Sequence, residues 1–161
     1  MTVCNRSNDV IWGAYGANVV QFSMLQEYIA DKIGVEVGVY TQASDSFHVY
    51  TDNPQFEILK RLPYKDYDPY KYEVESFPLG AEAIGWDNDL FNFCNFVHHK
   101  QFVEASLEGN YTTDYFRKVV APMIKCWGAH KLDRSGLEFV GEIEASDWRL
   151  AATQWLTKRE K

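Results

Sequence analysis

A chain of 161 residues with a net charge of −7 is long enough for one domain, or one domain with an appended helical element. It is too acidic for the cationic face that general nucleic-acid binding requires. With 46% hydrophobic and 16% aromatic residues it can bury a core, which excludes a wholly disordered chain, and its apolar runs fall far short of the roughly 20 residues that cross a bilayer.

Taken in chain order, Thr2 to Asn5 reads as the end of a strand, and Val10-Ile11-Trp12 resumes an apolar segment after the polar Arg6-Ser7-Asn8-Asp9. Gly13-Ala14-Tyr15-Gly16 reads as a turn. From Asn18 the period becomes helical, with Val20, Met24, Leu25, Tyr28, Ile29 and Ile33 recurring at three and four residues. Asn18 is the expected N-cap and Gly34 the expected stop. Val35 to Tyr40 alternates as a strand would, and Phe47 to Tyr50 is a second short strand closed by Thr51-Asp52-Asn53-Pro54. Gln55 to Leu62 predicts a helix and Tyr64 to Tyr72 a loop. Beyond these, Asp87 to Leu107, Tyr111 to Trp127 and Ser146 to Lys158 show helical spacing, the last with Trp148, Ala151, Ala152 and Trp155 on one face. The expected class is α+β, with a sheet-bearing portion over 1–75 and a helical portion over 76–161.

Cys4, Cys94 and Cys126 form no CxxC pair, so neither a zinc site nor a disulfide framework is indicated. Met1-Thr2-Val3-Cys4 lacks the pattern of a secretory leader, and a reduced, cytoplasmic protein is the expectation. His98 and His99 invite a metal reading, but helical neighbours point about 100° apart and share an ion poorly. Asp87-Asn88-Asp89 is expected to cap the helix that follows. No metal site is assigned.

The polar groups of the first fifty residues suit a different ligand. The Arg6 guanidinium with the adjacent Ser7 hydroxyl matches a phosphate, because the fork donates two parallel hydrogen bonds. The Asn18 carboxamide sets a donor beside an acceptor, the complement of one edge of a pyrimidine. His48 and Tyr50, two apart on a strand, point to one face and can share a ribose hydroxyl. Singly, each has a plainer reading: Arg6-Ser7-Asn8-Asp9 a polar turn, Asn18 a helix cap, His48 and Tyr50 ordinary strand residues. Their ordered co-occurrence decides.

In that order and spacing these residues resemble the nucleotide-binding half of the thymidylate synthase family, over roughly the first third of the chain. The resemblance implies a pyrimidine nucleoside monophosphate as ligand, with Arg6 and Ser7 on its phosphate, Asn18 on the uracil edge, and His48 and Tyr50 on the ribose hydroxyl. It implies that Asp9 meets the pyrimidine through its backbone and a folate pterin through its carboxylate, with 5,10-methylenetetrahydrofolate as co-substrate. It also implies a homodimer packed sheet to sheet. The family's reaction is covalent, a cysteine thiolate adding to C6 of dUMP so that C5 can take up the one-carbon unit. That cysteine lies further upstream in the family than the five residues preceding Arg6, and no catalytic residue is assigned; Cys4 shares only strand parity with Arg6. The family's Gly-x-Pro-Phe-Asn is one residue longer here, Gly13 to Asn18, and Ser46 stands where its Gly-Asp-x-His has aspartate. The expectation is a thymidylate synthase-like protein, converting dUMP to dTMP in the complete enzyme and inactive as this chain alone. The alternatives are a dUMP or dCMP hydroxymethylase and a non-catalytic nucleotide-binding or interaction module.

Overall fold

The computed structural model describes residues 1–62 and 76–159, and the chain divides into two compact units, Met1–Tyr67 and Asp68–Lys161. The loop expected at Tyr64 to Tyr72 lies outside the described residues. The class is α+β: the described strands sit in the first unit and the second is helical.

In the first unit β1 (Thr2–Asp9) and β2 (Thr41–His48) run parallel, from Thr2 opposite Thr41 to Asp9 opposite His48. Parallel neighbours cannot be joined by a tight turn, so the chain crosses over through helix. A wide helical segment, Val10–Ala17, leads directly into α1 (Asn18–Ile33), with a kink at Gly16 (φ −115°, ψ −120°). The turn expected at Gly13 to Gly16 is therefore helical. Its cause is Asp9, whose side chain accepts hydrogen bonds from the amides of Ile11 at 3.0 Å and Trp12 at 2.6 Å. Capping these otherwise orphaned donors starts the helix at the strand's end, before Asn18 is reached. Asn18 accordingly is no cap; it has helical dihedrals (φ −66°, ψ −45°) and its side chain is turned to other work. Gly34, at φ 72°, does end α1, its amide bonding the carbonyls of Ala30 and Asp31.

Strand placement departs from the sequence pattern. Val35 to Tyr40 lies outside the ladder, with Val35, Val37 and Val39 more than half exposed and the Gly38 carbonyl taken by Gln26 Nε2 at 2.6 Å. The more polar Thr41–His48 pairs with β1 instead. Strand propensity yields here to the register a partner offers. β2 ends at His48, so Tyr50 follows the strand rather than lying on it. Next, α2 (Pro54–Arg61) is capped by the Asn53 side chain, which accepts from the Gln55 amide at 2.9 Å, with Pro54 in its first turn.

In the second unit the long helix expected over Asp87 to Leu107 forms as α3 (Trp86–His98) and the short α4 (Phe102–Ala105), interrupted where Lys100 takes φ 58°. A wide turn at Phe116–Val120 runs into α5 (Ala121–Lys131), and α6 (Ser146–Thr157) closes the unit. Phe116, 2% exposed, is ringed by Trp86 at 5.3 Å, Tyr111 at 5.5 Å and Phe93 at 6.3 Å between centroids. Asp89 does not cap α3, the helix it helps to open. Its buried carboxylate accepts from the amides and hydroxyls of Thr112 and Thr113, 2.8 to 3.2 Å away, and so caps the later segment that leads to α5. No described helix is long and apolar enough to cross a membrane.

Candidate functional site

The predicted residues lie in the carboxyl half of β1, at and just after the end of β2, and at the start of α1. Parallel strands present their carboxyl ends at one edge, and in open parallel sheets that edge gathers ligand-binding groups. Arg6, Ser7 and Asp9 close β1 and His48 closes β2, with Ser7 opposite Ser46 and Asp9 opposite His48.

Exposure alternates along β1 from Thr2 to Arg6 and then slips, leaving Arg6 and Ser7 both exposed before the buried Asn8. Strict alternation would send the two to opposite faces; the slip lets both reach solvent. Among the described residues Arg6 makes no ion pair, so its fork of donors is uncommitted. Cys4, also exposed, lies two residues earlier on the strand.

Asp9 divides its work. Its Oδ1 holds the start of the helix, whereas Oδ2 is buried with no hydrogen-bond partner among the described residues. A buried acceptor left unpaired costs about 1–3 kcal/mol, so a donor brought to it is favoured. At the end of β2 the rings of His48 and Tyr50 meet edge to face, 5.1 Å between centroids at 87°. Tyr50 lies beyond the strand, so strand parity does not bring the pair together; the ring contact does. Ser46 Oγ approaches His48 Nδ1 at 3.4 Å, a long contact.

Asn18 is tied to this edge by Asn8, a residue that sequence reasoning passed over. Asn8 is 1% exposed; its Nδ2 donates to Ser44 Oγ at 3.0 Å and its Oδ1 accepts from Asn18 Nδ2 at 3.1 Å. Room for the pair comes from Gly13, where a Cβ would sit 2.3 Å from Asn8 Oδ1 and 3.1 Å from Asn18 Nδ2. Nothing in the sequence separates Asn8 from its polar neighbours; burial does.

Elsewhere the chemistry is sparse. The face of α6 carrying Trp148, Ala151, Ala152 and Trp155 does line one groove, of about 220 Å³, against Met123 and Trp127 of α5, but its walls are almost wholly apolar. The His98 and His99 rings pack 5.0 Å apart, and among the described residues no group of three or more His, Cys, Asp or Glu side chains is arranged to hold a metal.

Over 179 aligned positions the chain is 36% identical to a "Deoxyuridylate hydroxymethyltransferase" of Pseudomonas phage M6, a match covering 99% of this chain and 47% of that protein. The chain thus spans about half the length of that relative. Over 53 positions it is 55% identical to a protein of the same name from Bacillus phage SP01, covering 33% of this chain and 14% of the other. A stretch of 50 residues, 31% of this chain and 23% of the relative, is 52% identical to a "Putative thymidylate synthase" of Methanosarcina mazei. No protein-family profile and no solved structure matches the chain.

Proposed function

The chain belongs to the thymidylate synthase and pyrimidine hydroxymethylase family, and on that footing we propose that it holds a pyrimidine nucleoside monophosphate, dUMP, at the carboxyl ends of β1 and β2. The observation that supports this reading is the register that sets Asp9 opposite His48 at the ends of two parallel strands, with Arg6 and Ser7 exposed on β1, Asn18 hydrogen-bonded to Asn8 and the His48 and Tyr50 rings in contact. In this reading Arg6 donates two parallel bonds to phosphate oxygens and Ser7 adds a third. Asn18 offers its remaining N–H and its carbonyl to the base edge. His48 and Tyr50 take the ribose hydroxyl.

Asp9 serves a folate in the same reading. Its buried, unpartnered Oδ2 fits a ring N–H donor, which would relieve the cost of leaving that oxygen bare. When bound, 5,10-methylenetetrahydrofolate supplies the one-carbon unit destined for C5 of the pyrimidine. The residues of this chain bind and orient the nucleotide; none of them is assigned as nucleophile. Two outcomes share this chemistry, a methyl product and a hydroxymethyl product. The second is favoured by the phage relative, named for hydroxymethyl transfer, that matches 99% of the chain. A homodimer belongs to the same proposal, and sedimentation velocity tests it.

Calorimetric titration with dUMP, dCMP and dTMP tests the pocket. Saturable dUMP binding is expected, weakened about tenfold or more in Arg6→Ala, since a charge-assisted bond contributes about 1.5–3 kcal/mol. Absence of binding to all three nucleotides overturns the reading. Mass spectrometry of dUMP incubated with a full-length relative and 5,10-methylenetetrahydrofolate separates the two products.

A further inference from the structure

The helical unit holds a second groove, of about 180 Å³, between α4, α5 and the short helical segment Leu137–Glu142. Unlike the tryptophan-lined groove, it carries charged side chains on its wall. Phe102 and Val103 of α4 and Phe139 give it apolar sides. Gly128 and Ala129 of α5, with little or no side chain, leave it open. Its cations are Lys125 and Arg134. Lys125 is committed, its Nζ donating to both carboxylate oxygens of Glu142 at 2.8 and 2.7 Å and lying 4.5 Å from the centroid of the Phe139 ring. Arg134 is exposed and makes no ion pair among the described residues.

The way α5 ends puts Arg134 there. Asp133 takes φ 54°, and the amides of Asp133 and Arg134 turn back to the carbonyls of His130 at 3.3 Å and Ala129 at 3.0 Å. Such a double closure is commonly accompanied by an apolar contact between the residue at Arg134's position and the last turn of the helix. Here that turn offers Ala129 and Gly128, the residue facing it is a cation, and all three line the groove. The closure also satisfies terminal carbonyls that would otherwise repel an anion beside Arg134. We propose that this groove binds a small apolar monocarboxylate, its hydrocarbon body against Phe102, Val103 and Phe139 and its carboxylate on the Arg134 guanidinium. The planar fork meets a carboxylate through two parallel hydrogen bonds. With Lys125 neutralised by Glu142, one positive charge is left to match one negative charge; a phosphate dianion would keep a charge uncompensated against apolar walls. Every residue of the groove belongs to the second unit, so the proposal stands independently of the nucleotide reading.

The test is NMR titration of the 161-residue chain with hexanoate, with hexanamide as its neutral counterpart and with acetate as a carboxylate lacking the apolar body. Hexanoate is expected to saturate, shifting the amides of Val103, Gly128, Ala129 and Phe139, and to bind about tenfold more tightly than either comparison compound. Arg134→Gln is expected to weaken hexanoate about tenfold, to the level of hexanamide. Val103 is 65% exposed, so Val103→Glu can set a like charge on the wall without disturbing the core. It is expected to weaken hexanoate several-fold and to leave hexanamide unchanged, and it carries the test if Arg134→Gln does not fold by circular dichroism. Equal binding of hexanamide or acetate, shifts confined to residues outside the groove, or no saturable binding of hexanoate overturns the proposal. So does a folded Arg134→Gln protein that keeps the full preference for hexanoate, which would leave Arg134 as a partner of the helix terminus alone.

Discussion

Gly13 shows how much a single missing atom can decide. It lies in a helical segment, where alanine would ordinarily gain about 1 kcal/mol over glycine. Here the added Cβ would come within 2.3 Å of Asn8 Oδ1. That oxygen ends a side chain, but the chain is buried and tied at both ends, to Ser44 and to Asn18, so it has nowhere cheap to go. Overpacking of this kind costs about 1–3 kcal/mol, more than the helix propensity returns. Gly13→Ala is therefore expected to lower stability by about 1 kcal/mol in urea unfolding, the middle of the difference between the two effects. An unchanged urea midpoint would mean that the Asn8 side chain gives way at little cost despite its two hydrogen bonds.

Among the elements, α3 and α4 are each joined to the segment leading to α5 by a buried polar group. Asp89 of α3 satisfies the first amides of that segment, and the Tyr111 hydroxyl donates to the Ala105 carbonyl at 2.8 Å. Burial, helped by the nearby Asp89 carboxylate, pushes the Tyr111 pKa from 10.0 up to about 12. The folded chain thus keeps this proton after the unfolded chain has lost it. The contribution is whole below the unfolded value of 10.0 and is lost as pH rises towards about 12. Tyr111→Phe is expected to cost about 1 kcal/mol near neutral pH, through the lost hydrogen bond. It should also unfold less steeply with pH than the parent between about pH 10 and about pH 12. Urea midpoints for both proteins at about pH 8 and about pH 11 check this, and parallel slopes would refute the assignment.

At the scale of the whole molecule, charge keeps copies apart while apolar surface invites them together. The net charge is −7 at pH 7 and the isoelectric point is about 5.1. Val39, Phe91 and Ile84 are 82%, 70% and 100% exposed. As pH falls towards the isoelectric point the repulsion vanishes and these side chains remain, so light scattering is expected to rise steeply near pH 5 and to reverse at neutral pH. A chain that scatters no more at its isoelectric point than at pH 7 would show that the exposed apolar side chains do not associate.

What the sequence by itself determined was the periodicity that carries the elements: the α+β class, α1 with its glycine stop and α6 with its tryptophan face. These are local properties, fixed by residue type and spacing within one element. Partnership was decided only by the tertiary structure. Val35 to Tyr40 has the better strand composition, yet Thr41–His48 pairs with β1, because a strand exists only against another strand. Asn18 has the composition of a cap, yet Asp9 caps first and frees the Asn18 amide for Asn8. Asn8 itself, one polar residue among five in a row, stands out only through its burial, and burial is a property of what packs around a residue rather than of the residue.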